Sequence, residues 1–140
     1  MTIRYATPED ADAVFHLVEM LGSDSFSYDE FLSTYRYNLT AAHCLVAVME
    51  QELVGLGVLL LGYPLHHGKK MAEITELVVD GAFRSSGIGK ALVDEMTRIA
   101  VENHCGGIEV ASNRKRLAAH RFYEREGFLN THCKLTKGLN

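Results

Sequence analysis

Apolar residues recur along this chain at two spacings, every second residue in some segments and every third or fourth in others, so both strands and helices are predicted. Strands are expected at residues 2–6, 43–50, 53–61, 71–80, 108–111 and 129–135, and helices begin near residues 7, 27, 88 and 117. This order favours an α/β fold in which one mixed sheet carries helices on both faces.

Two of the helices have clear local signals. Ser27 and Glu30 have the spacing of a capping box, in which each side chain accepts a hydrogen bond from the other residue's backbone N–H, so a helix is predicted to begin there. The helix that begins at Ile88 places Leu92 and Met96 on one face, which is typical of a helix packed on a core.

Composition and charge narrow the class of protein. A length of 140 residues suits one domain with a buried core, so residues 1–140 are predicted to form a single domain. The net charge of −4 argues against nucleic-acid binding, and no apolar run reaches membrane-spanning length. Cys44, Cys105 and Cys133 are an odd and widely spaced set, which favours reduced thiols in the cytoplasm over disulfides or a zinc cage.

The segment at residues 84–89 carries the strongest chemical signal, because it places a glycine-bearing turn between a predicted strand and a predicted helix. Its residues are Arg84, Ser85, Ser86, Gly87, Ile88 and Gly89. The N–H groups of the turn and of the first helical turn would point toward one spot, which suits a phosphate. Gly87 and Gly89 lack a Cβ, so a ligand can approach the backbone closely, and Arg84 and Lys90 add positive charge. The alternative is a plain turn whose glycines serve packing alone.

Two nucleotide-binding motifs do not fit this turn. A Walker loop needs glycine at position 84 and a hydroxyl residue after Lys90, where the chain has Arg84 and Ala91. A dinucleotide fingerprint that starts at Gly87 needs a third glycine at the position of Leu92.

The turn and a second motif together resemble the GNAT superfamily of N-acetyltransferases. The first motif is Arg84-x-x-Gly87-x-Gly89, and the second is the stretch AHRFYEREGF at residues 119–128, where Tyr123 precedes the pair Gly127-Phe128. The resemblance implies the GNAT fold, a mixed, twisted and splayed sheet flanked by helices, and acetyl-coenzyme A as cosubstrate. It also implies that a homodimer is among the states that the chain can form.

The resemblance assigns parts of the cosubstrate to this chain. The pyrophosphate would lie on the N–H groups of residues 84–89, and the pantetheine arm would pair with the backbone of Leu77 and Val79 like an added strand. A bulge in the strand would direct the N–H of Leu77 or Val78 at the thioester oxygen, where negative charge develops.

Acetyl transfer to an amine also needs a base, because an alkylamine has a pKa of about 10 and is protonated at neutral pH. Glu73 and Glu76 are the candidates, acting directly or through water. Alternation places them on opposite faces of the strand unless a bulge intervenes, and for each the alternative is a solvated surface glutamate.

A proton for the departing thiolate is the remaining requirement. The resemblance implies that Tyr123 is this general acid, and the alternative is a half-buried tyrosine that packs against Phe122 and Phe128. Cys105 and Cys133 have no neighbouring base, so direct transfer in a ternary complex is predicted over an acetyl-cysteine intermediate.

Residues 65–67, 73–79, 115–127 and 135–137 resemble the aminoalkylphosphonate N-acetyltransferase branch, which implies a small amine that carries a phosphonate as acceptor. Cations that could hold this dianion are Lys69, Lys70, Lys115, Arg116 and Arg121. The branch also implies a divalent metal, for which His66, His67 and Glu73 offer donor atoms. A solvated polar loop is the alternative, because adjacent histidines usually point apart.

Three functions stay open at this point. The first is an N-acetyltransferase for the primary amine of a small molecule, with no nucleic-acid or membrane partner. The second is a protein or peptide N-acetyltransferase of the same fold, which needs an open acceptor groove. The third is a non-catalytic module that binds acetyl-coenzyme A and performs no turnover.

Overall fold

The computed structural model describes residues 1–22 and 24–139. The strands are β1 (Thr2–Tyr5), β2 (His43–Met49), β3 (Glu52–Gly62), β4 (Met71–Val79) and β5 (Ile108–Val110). The helices are α1 (Ala11–Glu19), α2 (Tyr28–Ala41), α3 (Ile88–Glu102) and α4 (Leu117–Arg125). These elements confirm the predicted order as far as α4. None of the helices described is long and apolar enough to cross a membrane.

The five strands form one mixed sheet in the order β1-β2-β3-β4-β5. The first three pairings are antiparallel, and β5 runs parallel to β4. β5 pairs only with residues 72–74 of β4. The second half of β4 therefore has β3 on one side and no strand of the described chain on the other, which opens the sheet between β4 and β5.

Helices cover both faces of the sheet, as predicted. On one face α3 buries Leu92 and Met96 completely and Ile99 almost completely, with exposed fractions of 0%, 0% and 2%. Gly57 of β3 lies beneath this helix, and a Cβ there would come within 3.0 Å of the Met96 Cε atom. Its missing side chain therefore lets α3 lie close to the sheet.

The opposite face is covered by α1 and α2. Val14 of α1 and Phe31 of α2 are buried against β2, β3 and β4. The capping box at the start of α2 is formed as predicted: the Glu30 N–H donates to Ser27 Oγ at 3.1 Å, and the Ser27 N–H donates to Glu30 Oε1 at 2.9 Å.

The prediction of a strand at residues 129–135 is wrong. From residue 128 to residue 139 the chain has no regular secondary structure, and Leu129 and Leu135 are 82% and 90% exposed. A strand is stabilised by hydrogen bonds to a neighbouring strand and by cross-strand contacts, and the alternating sequence supplies neither on its own. The tail does not pair with β5, which is therefore an edge of the sheet.

Candidate active site

A β-bulge in β4 decides where the two candidate bases lie. Val58 of β3 pairs with Glu76, whereas the next residue, Leu59, pairs with Ile74, so Thr75 is the extra residue. A bulge of this kind shifts the alternation of side chains by one position. Ile74 packs in the core beneath α3 and Val78 packs on the α1 and α2 side.

Because of this shift, Glu73 and Glu76 share the face that α1 and α2 cover. Alternation along the sequence predicts opposite faces for these two glutamates unless the strand contains a bulge. The bulge at Thr75 is present, so they lie on the same face. The two side chains differ in their surroundings, since Glu73 is exposed and Glu76 is half-buried in the wall of a cavity.

This cavity has a volume of about 340 Å³ and lies between the two helices and strands β2, β3 and β4. Its polar residues on α2 are Glu30, Thr34 and Asn38, whose spacing of four places them on one face of the helix. The sequence prediction missed these three residues. In the sequence these three residues form a polar stripe beside the apolar stripe of Phe31 and Tyr35. Helical spacing alone does not show whether such a polar stripe lines a cavity or faces solvent.

Cys44 of β2 also lines the cavity, and it is a neutral thiol. Burial raises the pKa of Cys44 to about 11, and the nearby Glu76 carboxylate contributes in the same direction. Its Sγ atom donates to the carbonyl oxygen of Asn38 at 3.4 Å. A thiol that is protonated at neutral pH is a poor nucleophile, so Cys44 does not favour an acetyl-cysteine route.

The glycine turn has the backbone geometry of an anion site. Gly87 has a φ of 78° and Ser85 a φ of 68°, both in the left-handed region. Within residues 1–22 and 24–139, no N–H group of residues 84–90 donates to a protein oxygen. A Cβ at Gly87 would meet nothing within 4 Å, so this side of the turn is open. The unpaired donors and the open space suit a phosphate group.

Gly89 has a different environment, because its position faces α4. A Cβ there would lie 3.4 Å from the Phe122 Cζ atom and 3.9 Å from the Val79 Cγ2 atom. The end of β4, the start of α3 and the second sequence motif therefore meet at Gly89. The structure brings together two motifs that are about 30 residues apart in the sequence.

The two cations beside the turn are not equivalent. The Lys90 Nζ atom lies 3.1 Å from Asp94 Oδ2 and 3.4 Å from Glu126 Oε1, so its charge is shared with two carboxylates. Arg84 is exposed and forms no ion pair with the residues that the structure describes. Arg84 is therefore the cation of this pair whose charge remains available to a ligand.

The backbone of β4 also presents unpaired groups toward the opening in the sheet. The Asp80 N–H donates to the Val54 carbonyl oxygen of β3 at 2.8 Å. In an antiparallel pair such residues alternate, so Val78 faces β3 as well, whereas Leu77 and Val79 direct their N–H and C=O groups to the other side. On that side the pairing with β5 ends at Ile74.

Tyr123 lies on α4 between two aromatic rings. Its ring centroid is 5.4 Å from that of Phe122 and 5.6 Å from that of Phe128, and both contacts are edge-to-face. Burial raises the pKa of Tyr123, and the charge of Arg116 opposes this shift. Its hydroxyl forms no hydrogen bond with the part of the chain described. Tyr123 is thus both a packed residue and a protonated donor at neutral pH.

The histidine loop between β3 and β4 gathers no metal site. The rings of His66 and His67 lie 4.3 Å apart, and His67 Nε2 is 3.2 Å from Glu109 Oε1 of β5. Among the described residues, no group of three or more His, Cys, Asp and Glu side chains is placed to hold a metal ion. The set formed by His66, His67 and Glu73 is therefore not supported as a ligand set.

Comparisons with known proteins agree with this architecture. The model of the acetyltransferase (GNAT) family matches residues 13–128. An aminoalkylphosphonate N-acetyltransferase from Salmonella typhimurium is 35% identical over 139 residues, which are 98% of this chain and 90% of that protein.

Solved structures give the same result for the fold. The crystal structure of a transcriptional regulator from Bacillus halodurans C-125 is 26% identical with a TM-score of 0.87, and 99% of each chain is covered. A putative acetyltransferase from Agrobacterium tumefaciens has the same TM-score of 0.87 at 24% identity, with 99% of this chain and 100% of that chain covered, and supports the fold alone. The chain therefore belongs to the acetyltransferase (GNAT) family, whose members use acetyl-coenzyme A, and it is an N-acetyltransferase.

Proposed function

We propose that this chain transfers the acetyl group of acetyl-coenzyme A directly to the primary amine of a small molecule, and that aminoalkylphosphonates are one acceptor class. The observation that carries the proposal is the bulge in β4. It turns the carboxylate of Glu76 into the cavity, while the next residue, Leu77, offers its backbone to the opening beside β5. A base and a cosubstrate-binding edge therefore adjoin in one strand.

Each group has a role in this proposal. The N–H groups of residues 84–90 hold the pyrophosphate, and the backbone of Leu77 and Val79 pairs with the pantetheine arm. Glu76 accepts the proton of the amine, directly or through water, and Tyr123 supplies a proton to the departing sulfur. Leu77 is the oxyanion donor rather than Val78, because alternation directs the Val78 N–H toward β3.

The phosphonate part of the proposal is supported by the Salmonella relative and by three cations at or near the start of α4. Arg116 lies close enough to Tyr123 for its charge to affect the pKa of that hydroxyl. Lys115, Arg116 and Arg121 form no ion pair with described residues, so their charge is available to a dianion. A phosphonate held by Arg116 would lie near the proposed proton donor.

A free-thiol release assay over a panel of aminoalkylphosphonates, other small amines and short peptides tests the proposal. We expect release of coenzyme A with aminomethylphosphonate at a rate well above the rate without acceptor. Turnover confined to peptides would contradict the small-molecule proposal, and tight cofactor binding without turnover on any acceptor would favour the non-catalytic module. A chelator arm tests the metal dependence that the branch implies.

The location in the cell and the oligomeric state remain predictions. A location in the cytoplasm is supported by Cys44, Cys105 and Cys133, which are all free thiols. Cell fractionation tests it. A homodimer is tested by sedimentation of the purified chain.

The anion site is tested by Gly87→Ala. At a φ of 78° an alanine is strained by about 1 kcal/mol or more, and its methyl group would occupy the open side of the turn where we place the pyrophosphate. We expect the Kd for coenzyme A, measured by calorimetry, to rise about 10-fold or more, the effect of losing one or more charge-assisted hydrogen bonds.

Gly22→Ala is the matched control, because Gly22 also has a positive φ, 61°, and a Cβ there meets nothing within 4 Å. The control should lose similar stability and retain its affinity for coenzyme A. Equal affinity in the two variants would contradict the placement of the pyrophosphate.

A further inference from the structure

The cavity beside Glu76 has an apolar interior and a polar mouth. Val14, Leu56 and Val58 are buried, with exposed fractions of 2%, 2% and 5%, and form part of its floor. Glu30 and Thr34 are exposed and lie at the entrance. At about 340 Å³ its volume is at the lower end of the range of about 300–1,000 Å³ for small-molecule sites. The cavity therefore suits a small ligand with an apolar body.

The charges of the wall are all negative. Glu30 and Glu76 are its two carboxylates, and among the described residues that line it there is no Lys, Arg or His. The hydrogen bond from the Ser27 N–H holds the pKa of Glu30 below its usual value, so this carboxylate is ionised at neutral pH. A cation is therefore favoured in the cavity and an anion is disfavoured.

Most hydrogen-bond donors of the wall are already used by the protein. Thr34 Oγ1 donates to the Glu30 carbonyl oxygen at 3.2 Å, and Asn38 Nδ2 donates to the Thr34 carbonyl oxygen at 2.9 Å. Tyr35 Oη donates to the Thr7 carbonyl oxygen at 2.7 Å, and the Cys44 thiol donates to Asn38. The wall thus offers a ligand two carboxylates as acceptors, and among its described side chains only the second N–H of Asn38 Nδ2 remains as a donor, which is a poor match for a phosphonate or carboxylate.

We propose that this cavity binds the uncharged apolar body of a primary alkylamine, so that the chain acetylates such amines as a second acceptor class beside aminoalkylphosphonates. The proposal rests on the proposed acetyltransferase function and concerns its acceptor. The ammonium group lies at Glu76, which accepts its proton, and the apolar body extends between α1, α2 and the sheet. The amine nitrogen then forms the new amide bond to the acetyl carbon and releases its second proton to water. The carbon–sulfur bond breaks, the sulfur takes the proton of the Tyr123 hydroxyl and leaves as the thiol of coenzyme A, and water returns a proton to Tyr123.

This placement separates the two acceptor classes. Aminomethylphosphonate carries its dianion one carbon away from the nitrogen, and the cavity has nothing to pair with that charge. With its nitrogen at Glu76, such an acceptor has to direct its phosphonate out of the cavity, toward the cations at or near the start of α4, which are Lys115, Arg116 and Arg121. An alkylamine has no charge to place there and gains from burial of its chain instead.

The test compares n-hexylamine with 6-aminohexanoate, which share the amine and the six-carbon length and differ in the terminal carboxylate. We expect kcat/KM for n-hexylamine to exceed that for 6-aminohexanoate by about 10-fold or more, because the carboxylate would enter a largely apolar cavity whose described wall carries two carboxylates and no cation. The variant Thr34→Arg places a cation at the entrance and should reduce or reverse this preference. Ser33→Arg, an exposed neighbour on the same helix that does not line the cavity, is the control and should retain it.

A calorimetric measurement of n-hexylamine binding to the protein loaded with coenzyme A distinguishes failure of this inference from failure of the proposed function. If aminomethylphosphonate is acetylated and n-hexylamine neither reacts nor binds, this inference is overturned and the proposed function stands. If no amine is acetylated, the proposed function fails, and binding of n-hexylamine that Thr34→Arg abolishes would still support the cavity assignment. If n-hexylamine binds equally to wild type and Thr34→Arg, the amine is bound elsewhere and the inference is wrong.

Discussion

Replacing Tyr123 with phenylalanine is expected to lower kcat by about 10²-fold or more, the usual contribution of a positioned general acid. The substitution removes only the hydroxyl, which forms no hydrogen bond with the described residues, so the ring contacts with Phe122 and Phe128 remain. Because burial raises the pKa of Tyr123 above its ordinary value, the proton is present throughout the neutral range. The loss in kcat should therefore be constant from about pH 6 to pH 9.

Tyr37→Phe is the matched control, because Tyr37 is 70% exposed on α2 and does not line the cavity. Steady-state rates with the best acceptor of the panel give the comparison, and calorimetric affinity for coenzyme A shows whether the cosubstrate site is intact. A Tyr123→Phe variant with kcat within about 3-fold of wild type would assign the residue to packing alone.

Replacing Glu76 with glutamine is expected to lower kcat/KM by about 10² to 10⁴-fold at pH 7. The amide cannot accept the proton of an ammonium group, so the variant depends on the small neutral fraction of an amine with a pKa of about 10. That fraction rises about 10-fold per pH unit below the amine pKa, and the defect should shrink accordingly as the pH rises. A pH profile of kcat/KM for both proteins checks this expectation.

Glu73→Gln provides the comparison on the same face of β4. Glu73 is exposed, and Leu60 is its partner in β3, whereas Glu76 is half-buried in the cavity wall. We expect a loss of less than about 3-fold for this variant, since a solvated carboxylate outside the cavity has no fixed position relative to the amine. The opposite ranking of the two variants would assign the base to Glu73.

Much of the fold could be predicted because its signals are local. The capping box of Ser27 and Glu30 and the buried stripe of Leu92 and Met96 depend on residues a few positions apart, and both are confirmed. The strand predicted at residues 129–135 failed for the opposite reason. Alternation there describes a segment able to pair, but pairing depends on a distant edge strand, and β5 remains unpaired on that side.

Some features of the candidate site likewise follow from local sequence, and others depend on contacts between distant segments. The open turn at Gly87 follows from glycine's access to a positive φ, and together with the Tyr123 motif it indicates the acetyltransferase family from sequence alone. The neutralisation of Lys90 by Glu126 could not be predicted, because the two residues are 36 positions apart and meet only when α4 packs on α3.

The family, the acetyl-coenzyme A chemistry and the turn that suits a pyrophosphate can be inferred from the sequence alone, since they depend on short contiguous motifs. The tertiary structure decided what surrounds the acceptor. The bulge at Thr75 places Glu73 and Glu76 on one face, and α2 closes a cavity over Glu76 with Glu30 at its entrance. A bulge is a mismatch between two strands and a cavity is the space between elements, so neither is a property of any one segment of the sequence.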